Sequence, residues 1–119
     1  MSREAVVQYT LVERRMTITV TSRDGVPIRL TDERWAHIVE QHAELAGMRQ
    51  DVLEALANAE RVLAGQAGER LAIQAHAPGQ FLVVVYREID SSDGFILTAF
   101  LTKRTAWMER RHSIWPPKS

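Results

Sequence analysis

Apolar and polar residues alternate in "MTITVTS", residues 16–22, where Ile18 and Val20 stand between threonines. A period of two is the signature of a half-buried strand. "RDG" supplies turn residues, and "VPIRL", residues 26–30, resumes an extended run. Pro27 has no N–H to donate, which predicts a short or edge strand there. Residues 6–12, "VVQYTLV", fit either a further strand or an N-terminal extension. The period then changes. Thr31 is a good N-cap, Asp32 and Glu33 suit the positive first turn of a helix, and Leu30 and Trp35 have the spacing of a hydrophobic staple. The pattern predicts a helix from there to about Ala46, with Gly47 as its stop. "RQDVLEALANAE", residues 49–60, predicts a second helix with Val52, Leu53 and Leu56 on one face. Residues 61–64 could begin a strand or stay irregular.

Three strands follow. "ERLAIQAH" ends at the turn "APGQ"; "QFLVVVYREI" is apolar on both faces and so predicts a central strand; "SSDG" turns the chain into "GFILTAFLT". Short turns between consecutive strands imply an antiparallel meander. From about Arg104 the chain reads as a short helix, ended by Pro116 and Pro117. The expectation is an α+β fold: an N-terminal strand or hairpin, two helices, a three-strand antiparallel meander and a short C-terminal helix. Both helices are expected to pack on one sheet face. The 119 residues suit a single domain, with residues 16–112 as its core and residues 1–15 as a candidate extension.

Composition narrows the function classes. Apolar residues make up 45% of the chain, enough for a real core. No apolar run approaches the roughly 20 residues that span a bilayer. The N-terminus carries charges on both sides of a short apolar stretch, unlike a signal peptide, so a cytoplasmic protein without membrane contact is expected. There is no cysteine, which excludes disulfides and thiolate chemistry. Net charge is zero, which argues against a strongly electrostatic nucleic-acid binder. The charge is uneven, however. Residues 103–118 hold Lys103, Arg104, Arg110, Arg111 and Lys118 against Glu109 alone, with Trp107 and Trp115 among them. Such a segment can grip phosphates and stack on bases. The commoner arrangement is a solvated final helix anchored by its tryptophans.

"DERWAHIVEQHAEL", residues 32–45, holds two of the four histidines. On a helix, Trp35, Ile38, Val39 and His42 share one stripe, while His37 lies on the polar side with Arg34 and Gln41. The histidines are five apart, so they do not form a two-ligand metal pair of the i, i+4 kind, and no metal or cofactor is expected. His42 is then either a core-edge histidine or one that looks toward polar groups on the strands. Those polar groups are Arg70, Tyr86, Arg87, Thr98, Thr102 and Lys103. Alternation puts Ile96, Thr98, Phe100 and Thr102 on one face, and puts Tyr86 and Arg87 on opposite faces. An arginine may simply pair with Glu69 or Glu88, and threonine is a good strand former.

Over residues 28–104 the chain resembles the phage-type branch of the barnase–EndoU–colicin–RelE nuclease superfamily. The resemblance rests on "RWAHIVEQHAEL", "VLEALANAERV", Arg70 in "GERLAI", "LVVVYRE" and "GFILTAFLT". Relatives of this branch often read His-Pro-Glu where this chain has His42-Ala43-Glu44, and Asn-Pro where it has Asn58-Ala59. What the resemblance implies is metal-independent RNA cleavage by a toxin-like or phage-associated protein. Cleavage requires a base for the ribose 2′-hydroxyl, an acid for the departing 5′-oxygen and cationic donors for the phosphorane. His42, His37, Arg70 and Thr98 are the candidate catalytic set, and Tyr86, Arg87, Lys103 and Arg104 the candidate substrate contacts. RNA and a neutralising protein are the implied partners. The competing expectation is a catalytically silent binding or regulatory module on the same fold. A small-molecule enzyme using the same pocket is a third.

Overall fold

The alternating residues 16–22 do form a strand, and they recruit a neighbour on each side. The computed structural model describes residues 7–12 and 15–117; residues 1–6 and 13–14 of the expected extension, and Lys118 and Ser119, lie outside the described residues. Strand β2 (Arg15–Thr21) pairs antiparallel with β1 (Val7–Val12) and with β3 (Pro27–Thr31). Residues 7–12 are therefore a strand. Helix α1 (Asp32–Gln41) follows, then a 3-10 turn (Ala43–Leu45) and α2 (Arg49–Ala57). Strands β4 (Arg61–Ala64), β5 (Arg70–Ala77), β6 (Gln80–Asp90) and β7 (Asp93–Thr102) come next. A second 3-10 segment (Ala106–Arg110) leads to β8 (Ser113–Trp115). The strand order is β1-β2-β3-β7-β6-β5-β4-β8. Every pairing is antiparallel except β3 with β7, which is parallel and meets at one register pair, Arg29 with Phe95.

This architecture corrects the expected one. The three-strand meander exists as β5-β6-β7, but it is the middle of a single eight-stranded mixed sheet, so two helices laid on one face of a meander do not describe the fold. Two segments, one left open by the sequence and one expected as a helix, account for most of the difference. Residues 61–64 pair with β5, and the expected C-terminal helix is a 3-10 turn followed by a strand that pairs with β4. Ile114 and Trp115 suit a pleated, half-buried surface. Pro116 and Pro117 then end the ladder. Among the described residues no helix is long and apolar enough to cross a membrane.

Each sheet face carries apolar side chains. On the inner face Ile18, Val20, Ile28, Leu30, Val84, Tyr86 and Ile96 join Trp35, Ile38, Leu53 and Leu56 in the main core. On the outer face Leu63, Leu71, Ile73 and Val83 form a second cluster, closed by Met108 and by half-buried Trp107. The chain must cross this outer face to travel from the end of β7 to β8 at the far edge. Trp115 belongs to the main core, and the Arg23 guanidinium sits 4.1 Å from the centre of its ring. The tail tryptophans thus fasten the last segment to the body.

Two local features position the site. α1 is shorter than expected: His42 is its C-cap, donating its backbone N–H to the Ile38 carbonyl, and the 3-10 turn that follows buries Leu45 completely. β7 also carries a bulge. Val85 faces Thr98, but the next β6 residue, Tyr86, faces Ile96, leaving Leu97 as the extra residue. The bulge overturns the expectation that Ile96, Thr98 and Phe100 share a face. Ile96 enters the main core, whereas Thr98 and Phe100 lie on the outer face opposite Val85 and Val83. Near the start of β7, Gly94 admits no side chain: a Cβ would lie 2.5 Å from the Arg87 carbonyl oxygen and 2.5 Å from Ile28 Cδ1.

Candidate functional site

The outer face is closed over β4 and β5 but half-open over β6 and β7. All three phenylalanines of the chain lie there, Phe81 on β6 and Phe95 and Phe100 on β7, and each is half-buried. Two of them define the ends of a strip. Phe95 lies opposite Arg87 and Phe100 opposite Val83, with Thr98 between. At roughly 3.3 Å per strand residue the strip is about 15 Å long.

The two ends of α1 approach the two ends of this strip. β3 pairs with Phe95 through Arg29 and then leaves the sheet, because Thr31 caps the helix: its hydroxyl accepts the Arg34 N–H at 3.1 Å. The gap that opens is a cleft of about 250 Å³ lined by Arg29, Thr31, Arg34, Phe95 and Ile96. A broader, shallow hollow of about 570 Å³ continues along the polar side of α1, past Arg34 to His37 and Glu40. At the other end the His42 ring lies 6.4 Å from the Phe100 ring, tilted by 34°. Its Nδ1 is 3.7 Å from a Glu44 carboxylate oxygen, and the His42 side chain is 31% exposed. The early end of α1 puts it there. One more helical turn would have kept His42 on the core stripe.

The structure separates the other expected catalytic residues. Arg70 lies opposite Tyr86 and shares its inner face. Tyr86 and Val83, which faces Phe100, are three residues apart on β6, and Arg70 is a further strand away from β7. Arg70 and His42 therefore do not meet. The Arg70 guanidinium is bound instead to Asp24 and, through Nε at 3.4 Å, to Glu88. Glu88 is itself nearly buried and accepts the Ser22 hydroxyl at 2.8 Å. This network ties the β2–β3 turn to β5 and β6. Arg70→Lys is accordingly expected to leave any RNA cleavage within about twofold of wild type, while lowering stability by about 1–2 kcal/mol through loss of the two-carboxylate fork. Urea unfolding beside a cleavage assay measures both, and a large loss of cleavage at unchanged stability would return Arg70 to the site.

The remaining candidates divide. Tyr86 is fully buried, so it touches no substrate; burial pushes its phenol well above the ordinary tyrosine range, with Glu88 adding to the effect, and its hydroxyl has no partner among the described residues. Arg87 donates to the Ala67 carbonyl at 2.9 Å and braces the β4–β5 loop. Thr98 lies in the strip, its hydroxyl buried and without a partner among the described residues. His37 is exposed on α1, 3.4 Å from the Gln41 amide. Lys103 and Arg104 are exposed just past β7, where the Arg104 carbonyl accepts the Trp107 indole N–H at 2.8 Å. Among the described residues no group of three or more His, Asp or Glu could hold a metal ion. Arg29, Arg34 and Phe95 are the site residues that sequence reasoning missed. Only the parallel β3–β7 pair assembles them, and no local pattern announces such a pair.

Asp32, next to the Thr31 cap, is held by two donors. Its carboxylate accepts the Met16 N–H at 3.0 Å and pairs with Arg49 at 2.9 Å. The Met16 hydrogen bond first, and Arg49 second, hold its pKa below the usual carboxylate value. A carboxyl with a depressed pKa stabilises the fold above its unfolded pKa, and that contribution is lost as pH falls through the folded value. Asp32→Asn is expected to flatten the acid limb of the melting temperature below about pH 4, which thermal melts across pH would read.

No protein-family model matches the chain, and no curated protein or solved structure matches it either.

Proposed function

We propose that the protein is a small ribonuclease that needs no metal ion, and that RNA lies along the half-open strip between α1 and the crossing tail. The observation that carries this reading is His42 beside Phe100 at the end of that strip. An aromatic ring half-buried on a sheet stacks a base, and an adjacent imidazole reaches the ribose of the same nucleotide. In the proposed reaction His42 takes the 2′-hydroxyl proton, and the 2′-oxygen attacks the phosphorus. The bond from phosphorus to the 5′-oxygen breaks, and that oxygen takes up a proton from solvent, while His42 returns the proton it took to solvent. The products are a 2′,3′-cyclic phosphate and a 5′-hydroxyl. Lys103 and Arg104, exposed where β7 ends, supply positive charge near the phosphate. The resemblance in "RWAHIVEQHAEL" and "GFILTAFLT" supports the same reading, since these segments provide His42 and Phe100.

One observation favours the second reading, a binding module without cleavage. Arg29, Arg49, Arg61 and Arg70 are each paired with a carboxylate, and the net charge of the chain is zero. Incubation of the purified protein with single-stranded RNA in EDTA decides between them. Fragments ending in cyclic phosphate are the expected result. RNA retained but intact would establish the binding module, and neither retention nor cleavage across tRNA, rRNA and mRNA would remove RNA from the account.

A further inference from the structure

We propose that the cleft where β3 leaves β7 is a subsite for a single nucleotide, with its phosphate between Arg29 and Arg34 and its base against Phe95. The inference rests on the RNA reading above and adds a place that the cleavage chemistry does not require. Phe95 is about 15 Å along β7 from Phe100, so the cleft holds a nucleotide other than the one beside His42.

The donors suit a phosphate. Arg29 gives Nε to one Asp93 oxygen at 2.8 Å and Nη2 to the other at 3.1 Å. A guanidinium has five N–H groups, so three remain for a ligand. Asp93 fixes the fork in place, and so lowers the entropy lost when an anion binds. Arg34 has no carboxylate partner among the described residues, and its backbone is pinned by Thr31. The Thr31 hydroxyl accepts from Arg34 and keeps its own hydrogen, a third donor on the same rim. Phe95 is half-buried and lines the cleft beside Ile96, which gives a flat apolar surface next to two cationic groups. A guanidinium pair with an adjacent aromatic ring recognises a nucleotide better than inorganic phosphate or a nucleoside alone. At about 250 Å³ the cleft is smaller than the sites that enclose larger ligands, which limits it to one nucleotide.

Titration of the 15N-labelled protein with adenosine 5′-monophosphate, adenosine and inorganic phosphate tests the subsite. The expected result is saturable movement of the amide signals of residues 29–34 and 95–96 by the nucleotide. Adenosine and phosphate should each bind at least about tenfold more weakly, and Arg34→Gln, at an exposed position, should weaken the nucleotide by a similar factor. His42→Ala should bind the nucleotide as wild type does. No perturbation at these amides at millimolar nucleotide, in a protein that cleaves RNA, would overturn the subsite and leave the cleavage reading standing. Equal binding of adenosine and its monophosphate would overturn it too, because the arginines would then contribute nothing. Nucleotide binding in a protein that cleaves no RNA would sustain the subsite and sink the cleavage reading.

Discussion

His42→Ala is expected to slow RNA cleavage by about 10²–10⁴-fold, the usual contribution of a positioned proton-transfer group. The loss should fall on the rate constant rather than on substrate affinity, because Phe100 and the basic groups remain. Structural damage should be small. His42 caps α1 through its backbone N–H, which alanine retains, and its side chain is only partly covered. A melt within about 1 kcal/mol of wild type, beside the collapse in rate, would separate a chemical role from a packing one. A variant that cleaves at the wild-type rate would end the assignment of His42. Arg70→Lys is the natural companion, since it should show the reverse pattern.

Leu56→Ala should cost about 2–5 kcal/mol. Leu56 has no exposed surface, lies on α2 and belongs to the main core with Leu53 and Val84. Removing its isobutyl group leaves a cavity that two elements of different kinds would have to fill by moving together. With a total stability of about 5–15 kcal/mol, such a loss is a large fraction of the whole. Val84→Ala, at an equally buried position, removes fewer atoms and should cost less. Guanidinium unfolding of both variants reads the order directly. An unchanged midpoint for Leu56→Ala would mean that α2 does not sit on the sheet as described.

The strands were legible where one residue type dominated a run. "QFLVVVYREI" is a central strand, and Thr31 is a helix cap, because each signal is local. The failures have a shared physical origin. β8 is short, and what makes it a strand is pairing with β4 across some fifty residues of chain. The bulge at Leu97 shifts the face of every residue behind it, so alternation read from Ile96 gives the wrong neighbours for Thr98. The site suffered in the same way. His42 and Thr98 stand out by residue type alone, a histidine and a threonine within largely apolar runs. Arg70 was drawn in by type alone, and only its carboxylate neighbours show that it serves the fold. Arg29 and Arg34 look like ordinary surface arginines until the fold sets them around one cleft with Phe95.

The lone register pair between Arg29 and Phe95 divides the sheet into two antiparallel ladders, β1 to β3 and β7 to β8, held together elsewhere by side-chain packing. A sheet joined this way has a preferred line of sub-global opening. Few backbone hydrogen bonds must break for the N-terminal ladder to hinge away, and its amides should exchange with solvent at a lower free energy than those of β5, β6 and β7. Native-state hydrogen exchange would resolve the two groups, and a single exchange free energy across all strands would refute the division. The hinge line runs through the cleft lined by Arg29, Arg34 and Phe95. A ligand that bridged Arg29, Arg34 and Phe95 would therefore also clasp the two ladders together, across a register pair whose partners are 66 residues apart.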